Sequence, residues 1–272
     1  MGVETCLEQN CLSPELLARG LSLREEEILF VTGPLPGDAG GAESGPEVVL
    51  LTDEEGFEDR ALRFAPERRS LLLRRRFGVL YQRVGDVDVM VHVLQRATIE
   101  GLLDALDAGA IWAGSPAGVD HEAGVELLHR LRRGRALANE EGFERLRERL
   151  CAQKLAEWSV HHALARSGDA MAGARTSLEE NDPENAYLKL SALYDALGDA
   201  VLYSNGQRAG GWQWRLPELR AWGHLPFVDR YLDVKLPRRP PSEPLGAFVE
   251  RQLEAAGDVV ERLRRRTAIP PP

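Results

Sequence analysis

The sequence predicts an α+β chain, with a small mixed β-sheet in its first part and an α-helical bundle after it. Three observations predict this. Between Val84 and Leu94 the residues alternate, with Val87, Val89, Val91 and Val93 on one face and Asp86, Asp88, Met90 and His92 on the other, which is the period of a half-buried strand. Two more apolar runs, Ile28–Val31 and Val48–Leu51, flank a stretch rich in Gly and Pro from Gly33 to Pro46, so this part reads as strand, loop, strand. From about Thr98 the apolar spacing lengthens from two to about 3.6 residues, the period of an amphipathic helix.

Taken in order, a first helix is expected over Pro14 to Gly20, because Ser13 can cap it and Pro14 suits its first turn. The strands at Ile28 and Val48 follow, the second closed by Thr52-Asp53. The segment Arg68 to Arg76 interleaves arginines with leucines and is expected to be a helix with one apolar and one solvated face. After the valine strand, Ile99, Leu102, Leu103 and Leu106 carry one helix, Val125, Leu128 and Leu131 another, and Phe143, Leu146 and Leu150 a third. Longer helices are expected over 152–166 and 183–203, with an intervening one starting at Gly168-Asp169. The proline-rich stretch Leu236 to Pro244 then separates a final amphipathic helix, 245–266, from the proline tail. The expected domains are 1–108 for the α/β part, 109–236 for the bundle, and 237–272 for linker and last helix.

Composition narrows the function classes. A formal net charge of -9 supplies no global attraction to nucleic acid or an anionic membrane, so neither is an expected partner. The longest apolar runs are too short to cross a bilayer, and no secretory signal opens the chain. The three cysteines, Cys6, Cys11 and Cys151, match neither a metal pair nor a disulfide framework. A cytoplasmic protein is therefore expected. His161 and His162 are adjacent on a helix and do not share a face, which disfavours a metal site there.

Chemistry is suggested by the order of the N-terminal elements. A Gly-rich loop between two strands can hold a triphosphate on its backbone amides, and carboxylates from neighbouring strands can share the Mg²⁺ ions that align an attacking oxygen. Val31-Thr32-Gly33, then Gly45-Pro46-Glu47-Val48-Val49, then Asp86-Val87-Asp88 follow this order. On these residues the chain resembles the nucleotidyltransferase superfamily of the DNA polymerase beta type, and within it the small bacterial members similar to kanamycin nucleotidyltransferase. Leu128-His129-Arg130-Leu131, Gly168-Asp169 with Arg175, and Gly211-Trp212-Gln213-Trp214-Arg215 are similar to features of the helical domain in those proteins, and the resemblance extends to about Leu236.

The resemblance implies a nucleoside triphosphate held near Gly33 and Pro34 and by Arg175, Trp214 and Arg215. It implies Mg²⁺ on Glu47, Asp86 and Asp88, with Asp86 or Asp88 also acting as the base. Three departures cut across it. Pro34 stands where the family has a serine on the triphosphate and removes an amide donor. Gly45 stands where the first metal carboxylate belongs, and Gln213 replaces a lysine. Loss of a metal carboxylate removes charge and geometry from a two-metal site, and each 1.4 kcal/mol or so lost in the transition state is tenfold in rate.

The expected function is therefore a diverged, catalytically impaired nucleotidyltransferase-fold protein, a pseudoenzyme acting as a binding or accessory protein, for example in a bacterial biosynthetic pathway. Its expected partner is a protein or peptide, with a nucleotide as the second candidate. Two alternatives stand beside it. One is an active Mg²⁺-dependent enzyme moving a nucleoside monophosphate to a hydroxyl of a small molecule or peptide. The other is a helical adaptor whose α/β part is only a cap.

Overall fold

The computed structural model describes residues 13–32, 47–53, 57, 71–74, 77–84, 87–109, 121–207, 212–222, 225–236 and 238–267. The chain divides into two compact units, Met1–Ala152 and Gln153–Pro272.

Among the described residues, the first element of the first unit is α1 (Pro14–Gly20), capped by Ser13, whose Oγ accepts a hydrogen bond from the Leu16 amide at 3.1 Å. A six-stranded sheet follows: β1 (Ile28–Val31), β2 (Glu47–Thr52), β3 (Leu71–Arg74), β4 (Phe77–Val84), β5 (Val87–Gln95) and β6 (Arg135–Ala138), in the order β3-β4-β5-β2-β1-β6. Only β2 and β5 run parallel; the other neighbours are antiparallel, so the sheet is mixed. The valine alternation forms one core. Val89, Val91 and Val93 are buried with Val48, Leu50, Leu29 and Val31, and Leu17, Leu21 and Phe57 pack on them. The opposite face carries Phe30, whose ring lies 5.0 Å from that of Phe143.

Among the described residues this unit also holds α2 (Arg96–Ala108), α3 (His121–Arg133) and α4 (Glu140–Glu148). The step from α3 into β6 passes so close to the sheet that a Cβ on Gly134 would lie 2.6 Å from the Phe30 ring. Only glycine fits there. Asn139, at φ 51°, then turns the chain and caps α4 by accepting from the Gly142 amide at 3.0 Å.

Three expectations are corrected. Leucines and an arginine of the segment expected to be helical form β3, a strand paired with β4, because Leu71–Leu73 find a ladder partner in Gly78–Leu80. The strand expected over 84–94 is two strands, since Val84 ends β4 and β5 begins at Val87. Strands also do not end at Thr98: β6 adds itself to β1.

The second unit is helical: α5 (Ala152–Glu179), α6 (Pro183–Ser204), α7 (Trp212–Trp222), α8 (Leu225–Lys235) and α9 (Leu245–Thr267). No break occurs at Gly168, where α5 runs straight through, because a helix tolerates one glycine at a cost of about 1 kcal/mol. Asp182 caps α6 by accepting from the Asn185 amide at 3.0 Å, with Pro183 in the first turn. Along α6, Leu190, Leu193, Leu197 and Ala200 are fully buried, and Phe248, Val249 and Ala256 of α9 join the same core.

Two tyrosines tie this core together. The Tyr194 hydroxyl donates to Gln252 Oε1 at 3.0 Å, and the Tyr231 hydroxyl donates to Asp195 at 3.1 Å. Burial pushes the pKa of each up to about 12, with Asp195 adding to the effect at Tyr231. A folded pKa above the unfolded value of about 10 contributes stability that is complete below pH ~10 and lost as pH rises through ~12. Near-ultraviolet titration should therefore show Tyr194 and Tyr231 ionising about two pH units late. Tyr194→Phe should remove one of those late steps.

Candidate functional site

Glu47 is the first residue of β2, at the end of the Gly/Pro-rich stretch, on the sheet face opposite the valine core. Its carboxylate is not open. Arg130, from the third turn of α3, places Nη2 3.2 Å from Glu47 Oε2, while its Nε donates to Glu126 Oε1 at 2.8 Å. The Arg130 side chain is 10% exposed and that of Glu47 20% exposed. The Glu126 and Arg130 spacing, i and i+4 on one helical face, is what brings the second carboxylate to the same guanidinium.

His92 of β5 lies on the same face, with Nε2 3.9 Å from Glu47 Oε2. The parallel register explains this: Glu47 pairs with Met90, and His92 is two residues further on. Thr32 flanks Glu47 from the other side, where its amide donates to the Glu47 carbonyl at 2.9 Å. The Thr32 hydroxyl and Arg130 Nη1 are buried and make no hydrogen bond among the described residues. One face thus gathers a carboxylate pair, a guanidinium, an imidazole and a hydroxyl at the strand ends.

Asp88 is exposed near the start of β5, two residues before the partner of Glu47 and on the same side of the pleat. Its partner across the antiparallel ladder is Arg83 of β4. Gly33, Pro34 and Asp86 lie outside the described residues. Among the described residues no three His, Cys, Asp or Glu side chains come together as a group that could hold a metal ion. A dication brought to Glu47 would meet Arg130 already in place, a repulsion on the order of 4 kcal/mol for each unit of charge at 4 Å and an effective dielectric of 20.

In the helical unit the residues expected from the sequence to contact a nucleotide lie on two helices. Arg175 is exposed on α5. Trp214 lies in α7, and its neighbour Arg215 is committed elsewhere: Nε donates to Asp199 Oδ1 at 2.8 Å and Nη1 to Asp195 Oδ1 at 3.0 Å. Arg166 adds a bond to Asp199 at 3.0 Å, and Lys235 one to Asp195 at 2.7 Å. Gly198 makes room for this, since a Cβ there would sit 3.2 Å from Arg215 Cδ. Asp199 is buried, and burial raises its carboxyl pKa although Arg215 and Arg166 pull the other way. Both of Arg215's bonding edges are thus held by carboxylates of α6, which leaves this guanidinium an internal tie.

Sequence reasoning missed the charge partners. Arg130 stood inside the quoted Leu128–Leu131 segment, and Glu126 four residues before it was a readable signal. Asp195 and Asp199 likewise share a face of α6 at i and i+4. What could not be read was the distant residue each pair would meet.

No family model matches the chain, and no curated protein matches it. Among solved structures, a nucleotidyltransferase-like protein from Exiguobacterium sibiricum 255-15 superposes on 98% of this chain and 77% of its own, with a TM-score of 0.52 and 11% identity. The fold is nucleotidyltransferase-like. At that identity the likeness carries the fold alone, and Glu47 on β2 beside β5 sits in a mixed sheet of that architecture. Among the described residues, no helix is long and apolar enough to cross a membrane.

Proposed function

We propose that the protein is a diverged nucleotidyltransferase-fold binding protein whose strand-end site has exchanged a metal for a built-in cation. The observation that carries this reading is the Arg130 guanidinium, 3.2 Å from Glu47 and 2.8 Å from Glu126 in a mostly buried setting. Glu47 is the carboxylate that remains two residues after Gly45, where the family resemblance expects a metal-binding pair, and a guanidinium satisfies it. A guanidinium can hold a phosphate or carboxylate group in two bonds, but it cannot ligate and deprotonate an attacking hydroxyl as a metal ion does. A cluster closed on its own guanidinium in this way favours a binding scaffold over a site that transfers a nucleotidyl group. The protein acts as a binding or accessory partner of another protein or peptide.

Calorimetric titration with nucleoside triphosphates, in Mg²⁺ and in chelator, tests this together with a pyrophosphate-release assay. Affinity that does not change when Mg²⁺ is withdrawn, and no pyrophosphate, are the expected results. Tight binding that requires Mg²⁺, with pyrophosphate release abolished by Glu47→Gln, would instead establish the active enzyme.

A further inference from the structure

The helical unit holds a cavity of about 810 Å³ where the end of α6, the start of α8 and the last turns of α9 meet. That volume is in the range of drug-sized ligand sites. Its floor is apolar, made by Val201, Phe227, Val259 and Leu263, each less than a tenth exposed. Its walls carry three guanidinium groups, Arg230, Arg262 and Arg266, all from residues exposed to solvent.

The carboxylates nearby do not cancel these cations. Glu261 is bonded by Arg265, which lies outside the lining, so among the described lining residues Asp258 is the remaining acid to set against three arginines. The local surplus is positive in a chain whose net charge is -9.

Helix-end electrostatics does not account for the arrangement. Arginines in the last turn of α9 suit its dipole, but Arg230 stands in the middle of α8, where the dipole exerts little pull. Nor are the guanidinium groups needed to cap α6: the Val201 carbonyl already accepts from Ser204 Oγ at 2.9 Å and Asn205 Nδ2 at 2.8 Å.

An apolar floor under a ring of guanidinium groups matches a ligand with an apolar body and an anionic head. We infer that this cavity binds a small amphiphilic carboxylate, with its tail on Val201, Phe227, Val259 and Leu263 and its carboxylate on Arg230 and Arg262. The site is independent of the strand-end cluster of the first unit, and nothing in the proposed function depends on it.

Decanoate is a suitable probe, with decan-1-ol as its neutral twin, titrated calorimetrically into the full-length protein. One saturable site per chain for decanoate and affinity about tenfold or more weaker for decan-1-ol are expected, from the loss of charge-assisted hydrogen bonds. The double variant Arg230→Gln/Arg262→Gln changes two exposed side chains and should keep the wild-type circular dichroism while weakening decanoate about tenfold or more. Ser204→Phe, which narrows the cavity from the α6 end, should weaken acid and alcohol alike. Equal affinity for the two probes, unaltered decanoate binding in the double variant, or binding seen only to anionic lipid vesicles and not to free decanoate would each overturn the assignment.

Discussion

Arg215→Ala is expected to destabilise the helical unit by about 3–5 kcal/mol, the usual consequence of removing one partner from a buried ion pair. Arg215 is 12% exposed and Asp199 6% exposed, and the guanidinium bridges Asp199 to Asp195 across one face of α6. Without it, Asp199 retains Arg166 and Asp195 retains Lys235, but two carboxylates four residues apart face each other on one helix. The pH dependence separates this mechanism from simple loss of packing. Burial already raises the Asp199 pKa, and removing Arg215 deletes the strongest opposing attraction. A carboxyl whose folded pKa exceeds its unfolded value holds a proton that the unfolded chain has lost. Stability then falls as pH rises from the ordinary aspartate value, about 3.9, through the raised one. Thermal unfolding of the variant should therefore approach that of the wild type at acidic pH and diverge from it at neutral pH. A deficit that stays constant from acidic to neutral pH would show that Arg215 acts by its bulk, and Asp199→Asn in the Arg215→Ala background should then recover nothing.

The same cluster shows how far the sequence could be read. The valine alternation was decisive, because a period of two with one face buried admits a single arrangement, and Val89, Val91 and Val93 form the core with Val48 and Leu50. The shift to a helical period placed the helices over 96–108, 121–133, 140–148, 183–204 and 245–267, but it cut α5 at Gly168 and offered no helix at α7 or α8. Local pattern failed where partners at a distance decide. Leu71–Leu73 lie between arginines as on a helix, yet pair with β4. Arg135–Ala138 contains no β-branched residue and becomes a strand because β1 offers it an open edge. Site residues followed the same rule. Glu47 was found from its position at the end of the loop, whereas Arg130, 83 positions away along the chain, was visible only as one residue of a helical segment, and nothing in that segment says which carboxylate it meets.

Arg130 also yields the sharpest test of what the strand-end site has become. Arg130→Met keeps a long apolar stem against the sheet but removes the charge that holds Glu47 and Glu126 at 3.2 and 2.8 Å. Two mostly buried carboxylates would then share the space with no cation, at a cost of about 3–5 kcal/mol. A divalent ion can take the vacated place, since both carboxylates already face the one guanidinium, Glu47 at Nη2 and Glu126 at Nε. Adding Mg²⁺ should therefore raise the melting temperature of Arg130→Met, by an amount set by mass action: about 2.7 kcal/mol at a hundredfold excess over the dissociation constant. The wild type should be unmoved, because Arg130 answers the same charge from within the chain. Adding Glu47→Gln to Arg130→Met should abolish the response to Mg²⁺ and recover part of the lost stability, since the mutual repulsion of the carboxylates goes with it. If Mg²⁺ stabilised the wild type as strongly as the variant, Arg130 would not be the ion's replacement, and the carboxylates of β2 and β5 would have to be read again as a working metal site.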